Sequence, residues 1–201
     1  ITATNVFAHI NNTGELIKNV RNLLSKDGVF ISESQYLLDI VEKFEFDTIY
    51  HEHLRFYSLK PLIKLHELGG MSVIDAERIT AAGGSIRVYA KRGKHAASDR
   101  VKQLITAEES AGLYSEASLI AFAERAREAK NALLALLIKC KQENKKIVGV
   151  GSPARSNTLL GFCHIDNNIL DYAFEKTGSP KIGLYTPGTH IPIIDEKQFF
   201  I

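Results

Sequence analysis

The chain has 201 residues, of which 45% are hydrophobic and 24% are charged, and its formal net charge is +2 at pH 7. This composition is typical of a globular protein. The small net charge, without a Lys/Arg run, argues against a nucleic-acid-binding protein, and no apolar stretch approaches the roughly 18 residues that a membrane-spanning helix needs. The two cysteines form no C-x-x-C pair and no disulfide framework, which favours the reducing cytoplasm.

The first half of the chain predicts alternating strands and helices. The strand "ITATNVF" is followed by Asn12 and Glu15, whose spacing is that of a capping box at the start of a helix. After the strand "VFISE", Ser58 is the expected N-cap of a second helix, which the pair Gly69-Gly70 ends. The apolar face of that helix is predicted to hold Leu59, Leu62, Ile63 and Leu68. The segments "MSVIDAERI" and "SIRVYAKR" predict two antiparallel strands joined by the glycine-rich turn "TAAGG".

The second half begins with the polar stretch "KRGKHAASDR", which predicts a linker. A long helical region, rich in good helix formers, follows from about residue 100 to residue 145. Beyond it come the strand "KIVGVG", the helix "SPARSNTLLGFC", and the strands "ILDYAFE" and "HIPII". Strands and helices that alternate through short connections indicate a parallel α/β unit.

Two tyrosines, two histidines, a glutamate and an arginine are concentrated in "DTIYHEHLRFYSL", residues 47–59. A histidine beside a glutamate is a candidate general base, because a nearby carboxylate raises the imidazole pKa and fixes the tautomer. Tyr50 or Tyr57 could then donate a hydrogen bond to a developing oxyanion. Two alternatives stay open: a metal site in which His9 joins the His-x-His pair, and a polar surface strand without a special role.

The segment "GVGSPA", residues 149–154, follows a strand, opens a helix and matches the pattern G-x-G-x-x-G/A. Glu175, at the end of the next strand, has the position of a ribose-binding acid. Such a loop allows close approach of a phosphate to backbone N–H groups at a helix N-terminus. The motif indicates a nucleotide or a dinucleotide, so an NAD(P)-binding oxidoreductase domain and a non-catalytic nucleotide-binding module are both open. A tight strand–helix turn that binds nothing is the third reading.

The segments "NVFAHI", "FDTIYHEHLRFYSL", "GGSIRVY", "GVGSPARSNTLL" and "TPGTHIPI" resemble, in this order, the signature blocks of the S-adenosylmethionine-dependent sugar C-methyltransferases. Those enzymes act on deoxysugars carried by thymidine diphosphate (TDP). The resemblance implies an α/β fold. Residues 1–93 would be the second half of a class I methyltransferase domain with strand order 3-2-1-4-5-7-6. Residues 94–145 would be a linker and long helical region, and residues 146–201 a truncated Rossmann-like C-terminal domain.

The same resemblance implies that this sequence is a piece of a longer protein. A zinc-binding N-terminal segment and the glycine-rich loop that holds most of the S-adenosylmethionine would lie outside it. We therefore expect the parent enzyme, rather than this piece alone, to be active. The fourth strand of the methyltransferase sheet would become an unprotected edge, which predicts pairing with a second copy in a homodimer.

The family also implies roles for individual residues. His53 is the expected base that removes a proton next to the 4-keto group of the sugar, which gives an enolate that attacks the donor methyl group. The residues expected around this base are Glu52, Tyr50 and His9. The residues expected to contact the nucleotide sugar are Tyr57, Gly149, Gly151, Ser152, Arg155 and Lys181. Asn5 and Phe7 are the expected contacts of S-adenosylmethionine, and no metal ligand is expected in this chain.

Overall fold

The computed structural model describes residues 1–200, with side chains described for residues 1–199. The chain divides into two compact units. The first holds residues 1–46 and 51–122, and the second holds residues 47–50 and the residues from 123 onward. The domain boundaries inferred from the sequence, after residues 93 and 145, stay predictions. In the structure the chain passes from one compact unit to the other after residues 46, 50 and 122.

A four-stranded sheet forms the centre of the first unit. Its strands are β1 (Thr2–Thr4), β2 (Phe30–Gln35), β3 (Met71–Ile79) and β4 (Ser85–Arg92), in the order β1-β2-β4-β3. β1 and β2 are parallel, whereas β4 is antiparallel to both β2 and β3. This is the order 4-5-7-6 in which the expected methyltransferase sheet ends. Among the described strands β1 pairs only with β2, so it is an edge of the described sheet.

Among the described residues, the first unit contains four α-helices and the start of a fifth. They are α1 (Thr13–Leu23), α2 (Leu37–Glu42), α3 (Leu59–Leu68), α4 (Asp99–Ser110) and the start of α5 (Glu116–Gln142). The predicted capping box is present: the Asn12 side chain accepts a hydrogen bond from the Glu15 N–H at 3.1 Å and donates to the Glu15 carboxylate at 2.9 Å. The predicted long helical region is divided in two, because Gly112 has a φ of +66° in the turn between α4 and α5.

The N-terminus of α3 is capped from another helix, which corrects the expectation for Ser58. Ser58 has the N-cap position, but its side chain makes no capping hydrogen bond. The first N–H of the helix, that of Leu59, donates instead to the Glu108 carboxylate of α4 at 2.6 Å. The Tyr114 hydroxyl donates to the second oxygen of Glu108. Leu68, predicted on the apolar face of α3, is 71% exposed.

His66 of α3 lies in the core of the first unit with no exposed surface. Its ring stacks on Phe7, with centroids 6.3 Å apart, and lies 6.0 Å from the ring centroid of Phe30. Its Nδ1 atom is 2.8 Å from the Leu62 carbonyl oxygen, which fixes Nδ1–H as the donor, and Nε2 has no hydrogen-bond partner among the described residues. Burial lowers the pKa of His66, against the smaller opposing effect of the Leu62 carbonyl. The core therefore holds His66 in its neutral form.

We expect His66 to make the chain sensitive to mild acid. A pKa that is lower in the folded than in the unfolded state gives a contribution that is present above about pH 6.5 and is lost as the pH falls below that value. The free energy of unfolding should fall by up to about 1.4 kcal/mol per pH unit in this range. In His66→Leu this dependence of the free energy of unfolding on pH should disappear. Urea unfolding between about pH 7.5 and 5.5, the range around the ordinary histidine pKa, measures it. The exposed-site control His95→Gln should keep it.

A three-stranded parallel sheet forms the centre of the second unit. Its strands β5 (Val148–Val150), β6 (Tyr172–Glu175) and β7 (Ile193–Asp195) lie in that order. The later part of α5 and the helix α6 (Ser156–Cys163) contribute leucines that pack on a core around Cys163, Ala173 and Ile191. The predicted parallel α/β unit is therefore present. None of the described helices is long and apolar enough to cross a membrane.

Candidate functional site

The segment after the Tyr-His-Glu-His sequence is anchored to the chain that follows β1. The Leu54 N–H donates to the Ala8 carbonyl at 2.8 Å. The Arg55 guanidinium donates to the carbonyl oxygens of Ile10, at 2.6 Å, and Asn11, at 2.9 Å. One of these bonds joins two backbones and two join the Arg55 side chain to backbone carbonyls, so residues 8–11 and 54–55 are held next to each other.

Two histidines meet at this junction. The rings of His9 and His53 are 5.1 Å apart between centroids, at an interplanar angle of 67°, in an edge-to-face arrangement. The Phe56 ring lies against the other side of His53, with centroids 5.8 Å apart. His53 is half-buried, whereas His9 is exposed. The structure thus brings the predicted base, His53, together with one of the three residues expected around it, His9.

The other two predicted residues lie just before His53 in the chain. Residues 51 and 52 form a turn, and the Glu52 side chain is exposed. Tyr50 is half-buried and belongs to the four residues, 47–50, that are part of the second compact unit. A shared role of Glu52 and Tyr50 with the two histidines stays a prediction.

Tyr57 supports this junction from the core. Its side chain is 5% exposed, and its hydroxyl donates to the Phe7 carbonyl at 3.2 Å. The Tyr57 carbonyl accepts the Leu37 N–H at 2.8 Å, which ties the segment to the end of β2. Burial raises the pKa of Tyr57, so the phenol stays protonated at neutral pH. Its predicted contact with the substrate stays a prediction, and the contacts observed are structural.

The two residues predicted to contact S-adenosylmethionine differ in the exposure of their side chains. Asn5 is exposed, directly follows β1 and has a φ of +55°, so its side chain is available at the carboxyl end of a parallel strand, where ligands of α/β sheets bind. Phe7 has no exposed surface, and its ring packs on Phe30. The Phe7 side chain is therefore not available to a ligand, and the contact of Asn5 with S-adenosylmethionine stays a prediction. The described residues contain no group of three or more metal-ligating side chains.

In the second unit, the predicted glycine-rich loop leaves the carboxyl end of β5. Gly151 has a φ of +82°, a conformation that glycine adopts without strain, and its N–H donates to the Phe174 carbonyl at 2.8 Å. Gly149 lies in close packing: a Cβ atom there would lie 3.3 Å from the end of the Leu170 side chain and 3.4 Å from the Ala173 side chain. The two glycines therefore provide a turn and a close packing contact.

An acidic and a basic side chain meet at this loop. The Glu175 carboxylate accepts the Ser152 N–H at 3.3 Å, and the Lys181 ammonium lies 3.3 Å from the same oxygen. The Lys181 ammonium also donates to the Ser152 carbonyl at 2.6 Å. Burial opposes the ionised form of Glu175, but hydrogen bonds from the Lys176 N–H, Lys181 and the Ser152 N–H outweigh it, so the pKa of Glu175 is lowered.

Arg155, the last residue before α6, holds a segment from far away in the sequence. Its Nε and Nη2 atoms donate to the two carboxylate oxygens of Asp47, at 2.9 and 2.7 Å. One turn further along the helix, the Thr158 hydroxyl donates to the Ile49 carbonyl at 3.1 Å. Residues 47–50 are therefore fixed to the start of α6.

A family model of the C-terminal domain of C-methyltransferases matches residues 80–200, which is more than half of the chain. The chain belongs to the C-methyltransferase family. It is also 31% identical over 194 residues to the C-methyltransferase NovU of Streptomyces niveus, in a match that covers 96% of this chain and 46% of NovU. The chain thus spans about half the length of this curated C-methyltransferase.

An apolar cleft of about 350 Å³ adjoins the glycine-rich loop of this C-methyltransferase chain. The loop and Thr186 form part of its wall, and most of the remaining lining is aliphatic, from Leu133, Leu137, Leu159, Leu160, Ile165 and Leu170. The volume is within the range of small-molecule sites. The sequence did not predict this cleft, because its lining comes from five separate segments of the chain.

The sequence also gave no role to Asp47 and Thr158, although both lie in segments that it singled out. Asp47 opens the tyrosine- and histidine-rich stretch, and Thr158 follows the glycine-rich loop. Their link is invisible in the sequence because 108 residues separate Asp47 from Arg155. A carboxylate placed just before a predicted catalytic stretch is the one available signal.

Proposed function

We propose that a full-length enzyme carrying this chain transfers a methyl group from S-adenosylmethionine to the carbon next to the keto group of a TDP-linked 4-keto-deoxysugar. The observation that carries the proposal is the His9–His53 pair, with ring centroids 5.1 Å apart, in a chain of the C-methyltransferase family. Membership of the family supports methyl transfer to carbon. The sugar class rests on the sequence resemblance.

The proposed chemistry needs a base and hydrogen-bond donors. A proton next to a ketone is only weakly acidic, so its removal requires a positioned base whose pKa lies near the working pH. An unperturbed imidazole meets that requirement, and His53 is proposed to take the proton. His9, Glu52 and Tyr50 are proposed to orient the imidazole and to stabilise the charge that develops on the keto oxygen. S-adenosylmethionine supplies the methyl group, and Asn5 is the proposed contact from this chain.

The nucleotide part of the substrate is proposed to bind at the glycine-rich loop. Gly149 and Gly151 allow a diphosphate to approach the backbone, and Ser152 and Lys181 are the proposed polar contacts. The adjoining apolar cleft is large enough for a nucleobase. Membership of the C-methyltransferase family argues against the alternative of an NAD(P)-binding oxidoreductase, in which Glu175 would accept the ribose hydroxyls.

Thymidine diphosphate alone should bind to the chain, and calorimetric titration measures the affinity. In Lys181→Gln the dissociation constant should rise about tenfold, because one charge-assisted hydrogen bond is lost. The matched control is Lys176→Gln, which removes an exposed lysine five positions earlier in the chain and should leave the affinity within about twofold.

Wild-type chain that takes up no thymidine diphosphate at millimolar concentration would reject the nucleotide assignment. Equal losses in the two lysine variants would instead show that general positive charge, and not a contact at the loop, controls binding. Pairing of β1 with a second copy of the chain, as expected from its edge position, stays a proposal, as does a cytoplasmic location.

A further inference from the structure

Residues 47–50 lie between two parts of the first unit in the sequence but belong to the second unit. They contain Tyr50, and they are followed at once by His51, Glu52 and His53. Their position in the second unit depends on α6: Arg155 binds the Asp47 side chain, and Thr158 binds the Ile49 backbone. The segment is therefore attached to α6 at Asp47 and at Ile49.

The Arg155–Asp47 pair has the geometry of a specific contact. Two nitrogens of the guanidinium face two oxygens of the carboxylate, at 2.9 and 2.7 Å, and such paired bonds restrict orientation as well as distance. The side chains are 41% and 29% exposed, so solvent screens the charges only in part. A lysine could not replace Arg155 in this arrangement, because its ammonium is a single point charge.

Arg155 also lies next to the glycine-rich loop in the sequence. Arg155 directly follows the glycine-rich loop and precedes the first residue of α6. Its backbone therefore belongs to the proposed nucleotide site, while its side chain holds the segment that carries Tyr50. The bonds that the guanidinium makes from Nε and Nη2 are directed to Asp47.

We propose that Arg155 is a positioning residue, not a phosphate ligand: through Asp47 it fixes the Tyr50 segment to the start of α6. The role of the segment in catalysis rests on the proposed function, whereas its attachment does not. Loss of the guanidinium should release residues 47–50 and leave nucleotide affinity unchanged. In a full-length enzyme it should lower kcat about tenfold, with the KM for the nucleotide sugar within about twofold of wild type.

Hydrogen–deuterium exchange of the 201-residue chain, read by mass spectrometry on a peptide that spans residues 47–53, tests the attachment. In Arg155→Gln, exchange of this peptide should become at least about fivefold faster. Arg155→Lys should give an intermediate rate, and the charge-exchanged double variant Asp47→Arg/Arg155→Asp should restore most of the protection. Peptides from β5 and β6 should be unchanged, which shows that the second unit is folded. Lys102→Gln, which removes the exposed pair with Asp99, is the control.

Unchanged exchange at residues 47–53 in Arg155→Gln would overturn the inference. So would a loss of thymidine diphosphate affinity as large as that of Lys181→Gln, because Arg155 would then be a ligand. The two proposals fail separately. If the wild-type chain binds no thymidine diphosphate, the nucleotide site is rejected. The exchange rates, together with the rescue by the double variant, still show whether Arg155 attaches residues 47–50 to α6.

Discussion

Methyl transfer by a full-length enzyme with His53→Ala is expected to be about 10²–10⁴-fold slower than that of the wild type, the usual contribution of a general base. The imidazole is the group proposed to remove the proton from carbon, and alanine leaves no atom that can accept it. Binding of S-adenosylmethionine should be retained, because none of the contacts predicted for that molecule involves His53. Single-turnover measurement of methylated product, together with a donor-binding titration, checks both parts.

His9→Ala should have a smaller effect, of about 10-fold, if His9 orients the base through the ring contact at 5.1 Å. His95→Ala is the control, because His95 is exposed and follows β4, remote in sequence from both rings. A His53→Ala enzyme with wild-type turnover would remove the proposed mechanism, and the assignment to the family would be unaffected by that result.

The second large effect is expected for stability. Glu108→Ala should lower the free energy of unfolding by about 3 kcal/mol. Glu108 has no exposed surface, and its removal leaves the buried Leu59 N–H without its acceptor. The hydroxyl of the half-exposed Tyr114 loses one acceptor and keeps the Ser58 hydroxyl at 3.3 Å. Burial and the Glu108 carboxylate raise the pKa of Tyr114 to about 12 and also raise that of the buried Tyr36. Both phenols therefore remain protonated beside the carboxylate.

Glu109→Ala provides the matched control on the same helix. Glu109 is exposed and pairs only at the surface with Lys60, so its loss should cost less than about 1 kcal/mol. Glu108→Gln keeps an acceptor for Leu59 and should give an intermediate value. Urea unfolding of the four proteins measures the differences. Equal stabilities of Glu108→Ala and Glu109→Ala would show that water or another group replaces the buried carboxylate.

Local features of the fold were predictable from the sequence because their signals are local. The capping box of Asn12 and Glu15 lies within one helical turn, and consecutive alanines and glycines form the turn between β3 and β4. The order of the strands in the first sheet came from the resemblance to the methyltransferases and agrees with the structure. The end of α3 at Leu68, before Gly69 and Gly70, also follows from residue type alone.

Contacts between distant segments were not predictable. Ser58 has the side chain of an N-cap, but a carboxylate 49 residues away from Leu59 supplies the acceptor. The meeting of His9 with His53 was expected from the resemblance to the family, and from the residues alone only as a possible metal site; the structure shows it as a ring contact. Asp47 and Arg155 carry no joint pattern in the sequence, because an ion pair imposes no periodicity on the residues between its partners.

Residues 47–50 belong to the second unit, although the chain on both sides of them belongs to the first. This limits how chimeric enzymes of this family can be built. A crossover at residue 122 alone would join a foreign α6 to the native tetrapeptide, and Asp47 would then face whatever residue the donor enzyme has in place of Arg155. Recombination of the C-terminal part should therefore transfer residues 47–50 together with the residues from 123 onward.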